Sequence, residues 1–353
     1  MRKILKNGTL ITPLRKIENA GIIVEGSKIS EIFNDEKEIN IKKEDEVFDL
    51  QGKYLAPGFI DLHTHGGGGY DFMDGTVKAF IGACKAHLEH GTTSIIPTTL
   101  TSTEEETYSI LESFNQAQKQ MIKEQGPEIL GLHMEGPYFA HEQKGAQDPR
   151  YIRNPSEKEY QKLLNACPDI IRWTVAPELK GALKMGNILK EKGILASIGH
   201  SNAVYKEVLE ACENGYEHIT HLYSGMSSVR RIDAYRYSGV VESAYLIDEM
   251  SVEIIADGCH LPASLLKLIY KIKGSDKIAL ITDSMRGAGM PEGKYILGSK
   301  KEGREVLVED GVAKLKDRTA FAGSVATTDR LVRTMVELAE VPLTEAVKMA
   351  TLT

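Results

Sequence analysis

Six side chains near the ends of apolar segments are of the types that hold a divalent ion and hydrolyse an amide. His63 and His65 stand two apart in GFIDLHTH, and Glu135 closes EILGLHME. His200 and His221 fall in ILASIGHS and HITHLYS, and Asp283 lies in KIALITDS. Side chains on a strand alternate faces, so His63 and His65 point the same way. Four imidazoles and a carboxylate form the borderline donor set that zinc, iron and other divalent transition metals accept. A bound ion of this kind lowers the pKa of a water towards roughly 7 and polarises a carbonyl. Asp283 would accept the water's proton and pass it to the departing amine, which cannot leave as an anion. Its bland alternative is a helix N-cap at the Asp-Ser-Met turn.

A single histidine at a strand end is more often structural than a ligand, and the chain has ten. His87 and His90 on a predicted helix, and His141 in a predicted loop, read as solvated or structural. His218 lies on a less convincing face of its strand. His133 shares a face with Glu135 but sits deeper, which suits a supporting role. The combination, rather than any one member, argues for a metal site.

The segments that must position these groups alternate between short apolar runs and longer amphipathic stretches. The runs are GFIDLHTH (58–65), TTSIIPTTL (92–100), EILGLHME (128–135), IIRWTVAPE (170–178), ILASIGHS (194–201), HITHLYS (218–224), VEIIADGCH (252–260) and KIALITDS (277–284). Eight strands separated by helices predict a parallel α/β fold, a (β/α)₈ TIM barrel with its active site at the strand C-terminal ends. A doubly wound sheet would place a Gly-rich phosphate turn and a helix directly after its first strand, and HTHGGGGY lacks that pattern. The first 56 residues instead read as a small β-domain. Its strands are ILKNGTLIT, AGIIVEGSKISEIF and EVFDLQGKYLAP, separated by Asn-Gly, Glu-Gly and Gln-Gly turns. Charge-rich residues 32–49 read as a solvated loop or hairpin within it. The barrel is expected over 57–353, with a β-hairpin insertion near 293–324 and a helical tail.

Composition narrows the class. A net charge of −7 speaks against nucleic acid as the main partner, and leaves room for a small anionic substrate in a local pocket. The four cysteines are widely spaced and read as buried free thiols. The N-terminus lacks the apolar core of a signal peptide, and no apolar run approaches a membrane span. No membrane partner is expected, and cytoplasm is the simplest location.

The blocks PGFIDLHTHGGGG, GLHMEGPYF, SIGHSNA, THLYSGM, ADGCH and ITDSM, in that order, resemble the amidohydrolase superfamily and within it the N-acetylglucosamine-6-phosphate deacetylases. The resemblance implies a primary metal site of Glu135, His200 and His221, with His63 and His65 supporting a second ion in some members. One or two ions, zinc or iron, are therefore expected, and Asp283 is the catalytic acid and base. It implies a sugar-phosphate substrate touched by Gln147, Ser224, Gly225 and His260. Its phosphate would meet an arginine from the neighbouring subunit of a homodimer; Arg236 fits that role best, with Arg230 and Arg231 as rivals. Ser224 and Gly225 stand where many members carry Asn-Ala, and Gln147 where some carry a histidine. Related proteins continue beyond MATLT through strands that complete a sandwich-like β-domain, so a truncated or short form is expected. The alternatives are an amidohydrolase acting on a cyclic amide or N-acyl amino acid, and a non-catalytic metal-binding barrel.

Overall fold

The computed structural model describes residues 2–34 and 39–353. Residues 35–38, inside the charge-rich stretch 32–49, lie outside the described residues.

The N-terminal strands form a five-stranded mixed sheet. Arg2–Ile11 runs antiparallel to Lys16–Glu25, which pairs in turn with Lys28–Phe33. On its other edge Arg2–Ile11 pairs parallel with Glu46–Asp49 and Tyr54–Leu55. Gly26 and Gly52 occupy turns at positive φ, as the Glu-Gly and Gln-Gly pairs predict. Asn7-Gly8 does not make a turn. The strand continues through it with a shift of register between Leu5 and Gly8, and Asn7 has φ 58°. Asparagine tolerates that conformation, and Gly8 has no room for a Cβ, which would stand 2.5 Å from the Leu50 side chain. The pair is absorbed as a bulge.

From residue 59 the chain builds a curled parallel sheet in two ladders. The first pairs β1 (Phe59–Thr64) with β2 (Thr92–Pro97) and adds the two residues Glu128–Ile129. The second holds six strands in chain order: β3 (Leu132–Glu135), β4 (Ile170–Val175), β5 (Leu195–Ile198), β6 (Tyr216–Ile219), β7 (Ser251–Ile254) and β8 (Ile278–Leu280). The run EILGLHME is thus not one strand. It breaks at Leu130-Gly131, where it leaves β2 and joins β4. A Cβ on Gly131 would fall 2.7 Å from Ile171, so the backbone presses directly on β4 at the point of exchange.

Backbone hydrogen bonds join the ladders at the rim. Thr98 bridges His133, the Asp283 N–H donates to His63 O (2.8 Å), and the His65 N–H donates to Ser284 O (2.8 Å). Helices alternate with the strands, including α1 (Val77–Leu88) and α2 (Glu104–Glu124). Thr76 and Thr103 start them by accepting from backbone N–H groups of the first turn. After β8 come three antiparallel strands, Gly293–Leu297, Arg304–Glu309 and Val312–Leu315, which share a small core of Met285, Leu297, Val306 and Val308. Two helices, Thr328–Glu337 and Leu343–Met349, follow. Cys84 and Cys167 are buried, whereas Cys212 and Cys259 are half-buried; all four are free.

Candidate metal centre and active site

The ends of β1, β3, β5, β6 and β8 bring the expected donors to one place, around the Glu135 carboxylate. Its Oε1 lies 3.0 Å from His221 Nε2, 3.4 Å from His200 Nε2 and 3.5 Å from His63 Nε2. Its Oε2 lies 3.4 Å from His65 Nε2. Two overlapping triads result, His63–His65–Glu135 and Glu135–His200–His221, each with its donor atoms within 4.8 Å of one another. Asp283 Oδ1 stands beside the first triad, 3.0 Å from His65 Nε2 and 3.6 Å from His63 Nε2.

The donor set fits a cation on its own chemistry. His63 and His65 face each other through Nε2 atoms 3.3 Å apart, and His200 and His221 do so at 3.2 Å. Two ring nitrogens this close need a proton or a metal between them. The far sides of the rings favour the metal. Nδ1–H of His65 donates to Thr98 O (3.2 Å), that of His200 to Gln143 O (2.7 Å), and that of His63 to Glu253 Oε2 (3.3 Å). With the proton on Nδ1, each Nε2 offers a lone pair to the centre. His221 is the exception, its buried Nδ1 having no hydrogen-bond partner among the described residues.

Electrostatics agree. Burial lowers the proton affinity of His65, but the Asp283 and Glu135 carboxylates outweigh it and raise its pKa to about 9. Burial also opposes ionisation of Glu135 and Asp283. The neighbouring histidines more than offset this and hold Glu135 well below, and Asp283 below, the usual carboxylate range. Both carboxylates are therefore charged at neutral pH, and in metal-free protein an imidazole takes a proton instead.

The backbone is held in an uncommon conformation at three of these residues. His200, His221 and Asp283 have φ 47°, 31° and 45°, each just past the end of its strand. Left-handed geometry in residues with a Cβ costs on the order of 1–3 kcal/mol each and collects at functional sites. Gly225, at φ 55°, completes the turn after His221; a Cβ there would stand 2.8 Å from His200 Nδ1.

A cavity of about 290 Å³ opens from the donors, at the small end for a ligand site. Gln147, Ser224, Gly225 and His260 all line it, together with Leu100, Tyr223 and Phe321. His260 Nδ1 donates to Asp257 Oδ2 (2.8 Å), and its ring lies 4.7 Å from that of Phe321. Gln147 donates to Glu135 Oε2 (2.7 Å) and accepts from the Thr101 N–H (2.9 Å), so in this structure it is tied to the central carboxylate. The arginines are not in the wall. Arg236 and Arg231 are exposed on the antiparallel pair Arg230–Ile232 and Tyr235–Tyr237, and Arg230 donates to Asn202 O (2.8 Å). Among the described residues that line the cavity there is no lysine or arginine.

The remaining histidines are not donors to the centre. His133 is buried between Thr98 Oγ1 (3.2 Å) and Thr174 Oγ1 (2.7 Å) and meets the His63 ring edge-on. His87 is buried against Gly66 O (3.0 Å), which corrects the solvated reading and keeps the structural one. His218 contacts Ser251 Oγ (2.6 Å), His90 pairs with Asp329, and His141 is exposed. Sequence reasoning overlooked the floor of the site. Arg172 and Glu253 form a fully buried ion pair beneath His63, and Asp61, buried under Thr282, has its pKa pushed up to about 7 by burial. The available signal was a charge in the middle of an apolar strand: IIRWTV, SVEII and FIDLH.

Residues 54–353 match the amidohydrolase family. The chain belongs to the amidohydrolase family. It is 34% identical to the N-acetylglucosamine-6-phosphate deacetylase of Lysinibacillus sphaericus, over 98% of this chain and 86% of that protein. It is 33% identical to an N-acetylgalactosamine-6-phosphate deacetylase of Escherichia coli O157:H7, over 87% of this chain and 78% of that protein. Among solved structures, a mutant N-acetyl-D-glucosamine-6-phosphate deacetylase of Mycobacterium smegmatis, in complex with N-acetyl-D-glucosamine 6-phosphate, superposes with a TM-score of 0.87. That likeness comes at 26% identity and covers 99% of this chain and 88% of the other. The curled parallel sheet described above is thus the amidohydrolase fold.

Proposed function

We propose that this amidohydrolase removes the acetyl group from N-acetylglucosamine 6-phosphate, releasing acetate and glucosamine 6-phosphate. The observation that carries the reading is the gathering of four histidine Nε2 atoms on Glu135 with Asp283 at their edge, in a chain 34% identical to a deacetylase of that substrate. A divalent ion held by Glu135, His200 and His221, with His63 and His65 offering a second position, would supply Lewis acidity to a water and to the acetyl carbonyl. Mixed nitrogen and oxygen donors suit zinc or iron. Asp283, ionised and 3.0 Å from His65 Nε2, accepts the proton of the attacking water. It then returns that proton to the sugar nitrogen, so that a neutral amine departs. Gln147, once released from Glu135, can donate to the carbonyl oxygen, and His260 presents Nε2 to the sugar while Asp257 fixes its other nitrogen.

The phosphate needs a cation, and the described residues of the cavity wall include no lysine or arginine to supply one. Arg236, exposed on its hairpin, meets the phosphate of a neighbouring copy, which makes a homodimer the working unit. On the same reading the two ladders form one closed (β/α)₈ barrel over 57–353, and residues 1–56 form a separate, sandwich-like β-domain. The enzyme works in the cytoplasm; no described helix is long and apolar enough to cross a membrane.

Acetate release from N-acetylglucosamine 6-phosphate, its unphosphorylated sugar and the galacto epimer tests the reading. The glucose-configured phosphate should be the best substrate by kcat/KM. Equal activity on the unphosphorylated sugar would remove the phosphate site. A preference for the epimer would move the assignment to the N-acetylgalactosamine-6-phosphate deacetylases.

A further inference from the structure

Beneath the donors, one carboxylate gathers contacts from four residues on β1, β4 and β6 with its following turn. Glu253, fully buried on β7, accepts from His63 Nδ1 (3.3 Å) and from the His221 backbone N–H (3.4 Å) through Oε2. Its Oε1 pairs with Arg172 of β4, and His218 Nε2 lies 3.6 Å away. Arg172 is itself fixed by Ser197 Oγ (3.2 Å) and Thr220 Oγ1 (2.9 Å). The other supported donors, His65 and His200, rest on backbone carbonyls. His63 alone rests on a charge. A buried carboxylate behind an imidazole fixes its tautomer, orients the ring and raises the basicity of the nitrogen that faces the metal. A carboxylate without its own counter-ion could not stay ionised at this depth, and Arg172 supplies that counter-ion.

We propose that the Arg172–Glu253 pair is a positioning device for the cation held by His63 and His65, so that its loss weakens that position selectively while the Glu135–His200–His221 position persists. The proposal rests on the metal-centre reading above, and its own content is the coupling of occupancy to a residue that touches no metal. Glu253 also touches the His221 N–H, but that bond is to backbone, at the limit of hydrogen-bond length, and the carboxylate makes no hydrogen bond to the His221 ring.

The test measures metal content and metal affinity, after chelation and reconstitution, in wild type, Glu253→Gln, Glu253→Asp and His63→Asn. Glu253→Asp keeps the charge opposite Arg172 and withdraws the oxygens from His63, which guards against a variant that fails to fold; circular dichroism of the metal-free proteins checks this. Affinity at the weakened position should drop by roughly 10–100-fold. Both Glu253 variants should therefore lose the same equivalent of metal as His63→Asn and retain the other. Wild-type content and affinity in a folded Glu253→Asp would overturn the proposal, and so would loss of all metal together. A wild type that binds no divalent ion would instead overturn the metal-centre reading on which it rests.

Discussion

The metal rim gathers the ends of β1, β3, β5, β6 and β8, and the arginine hairpin follows directly on the rim turn beyond β6, yet the two are finished to different degrees within one chain. At the rim, every donor is buried, its reactive nitrogen or oxygen faces the others, and three of the four histidines have a partner behind the ring. On the hairpin, Arg231, Tyr235 and Arg236 are exposed, and none of the three is among the described residues that line the cavity. The difference teaches which half of catalysis the single chain carries. On the proposed reading, the groups that activate water and amide all lie in one copy, and the anionic end of the substrate is assigned to Arg236 of a second copy, because no lysine or arginine lines the described cavity wall.

The comparison breaks most sharply at Asp283. Replacement by Asn should reduce turnover by about 10²–10⁴-fold, the range expected for a lost proton carrier. Metal content should stay at the wild-type level, because Glu135 and the histidines are untouched. Comparable activity in that variant would leave Asp283 with a capping role only. On the hairpin the expected effect is smaller and of another kind. Arg236→Ala should raise KM for the phosphorylated sugar roughly 10–100-fold, the loss of one charge-assisted contact. It should leave kcat and metal content unchanged. Arg230→Ala and Arg231→Ala serve as controls, and a larger effect in either would reassign the phosphate contact. Mixing Arg236→Ala with Asp283→Asn protein sharpens the point, since a trans contact predicts partial recovery of activity in hybrids.

Gly225 lies between the two regions. Gly225→Ala must place a Cβ 2.8 Å from His200 Nδ1 at a positive φ, and both effects should disturb His200, a proposed metal ligand. A loss of about 1–3 kcal/mol is expected, seen as a lower melting temperature together with weaker metal binding. The smallest effect concerns pH. His65 has its pKa raised to about 9 in metal-free protein, so its contribution to stability is full below the unfolded value near 6.5. That contribution is lost as pH rises through 9. Chelated protein should therefore lose melting temperature between pH 6.5 and 9 relative to metal-loaded protein, in which the cation replaces the proton. Parallel melting curves for the two forms would contradict this.

What could be read from sequence divides along physical lines. His63, His65, Glu135, His200, His221 and Asp283 were legible as a set: one such residue at the end of an apolar run is usually structural, but six metal-binding or acid-base types at the ends of such runs are hard to assign to structure alone. Arg172, Glu253 and Asp61 were not. A charge inside a strand looks like an interruption until its partner is known, and their partners lie on other strands. The break of EILGLHME at Gly131 was also hidden, since it depends on how closely Ile171 approaches. Positive φ at His200, His221 and Asp283 leaves no compositional trace, because the residues concerned are chosen for their chemistry. Asn7-Gly8 misled for the opposite reason: its composition suits a turn, and a bulge has the same requirement for left-handed backbone.

The claim on which the rest depends is that a cation seated on Glu135 activates the amide for hydrolysis. Its most direct test is titration of chelated protein with zinc or ferrous iron while acetate release from N-acetylglucosamine 6-phosphate is followed. Activity should be absent at the start, rise in step with bound metal, and fail to appear in His200→Asn. Full turnover in demonstrably metal-free protein, or bound metal with no acetate released, would contradict the account.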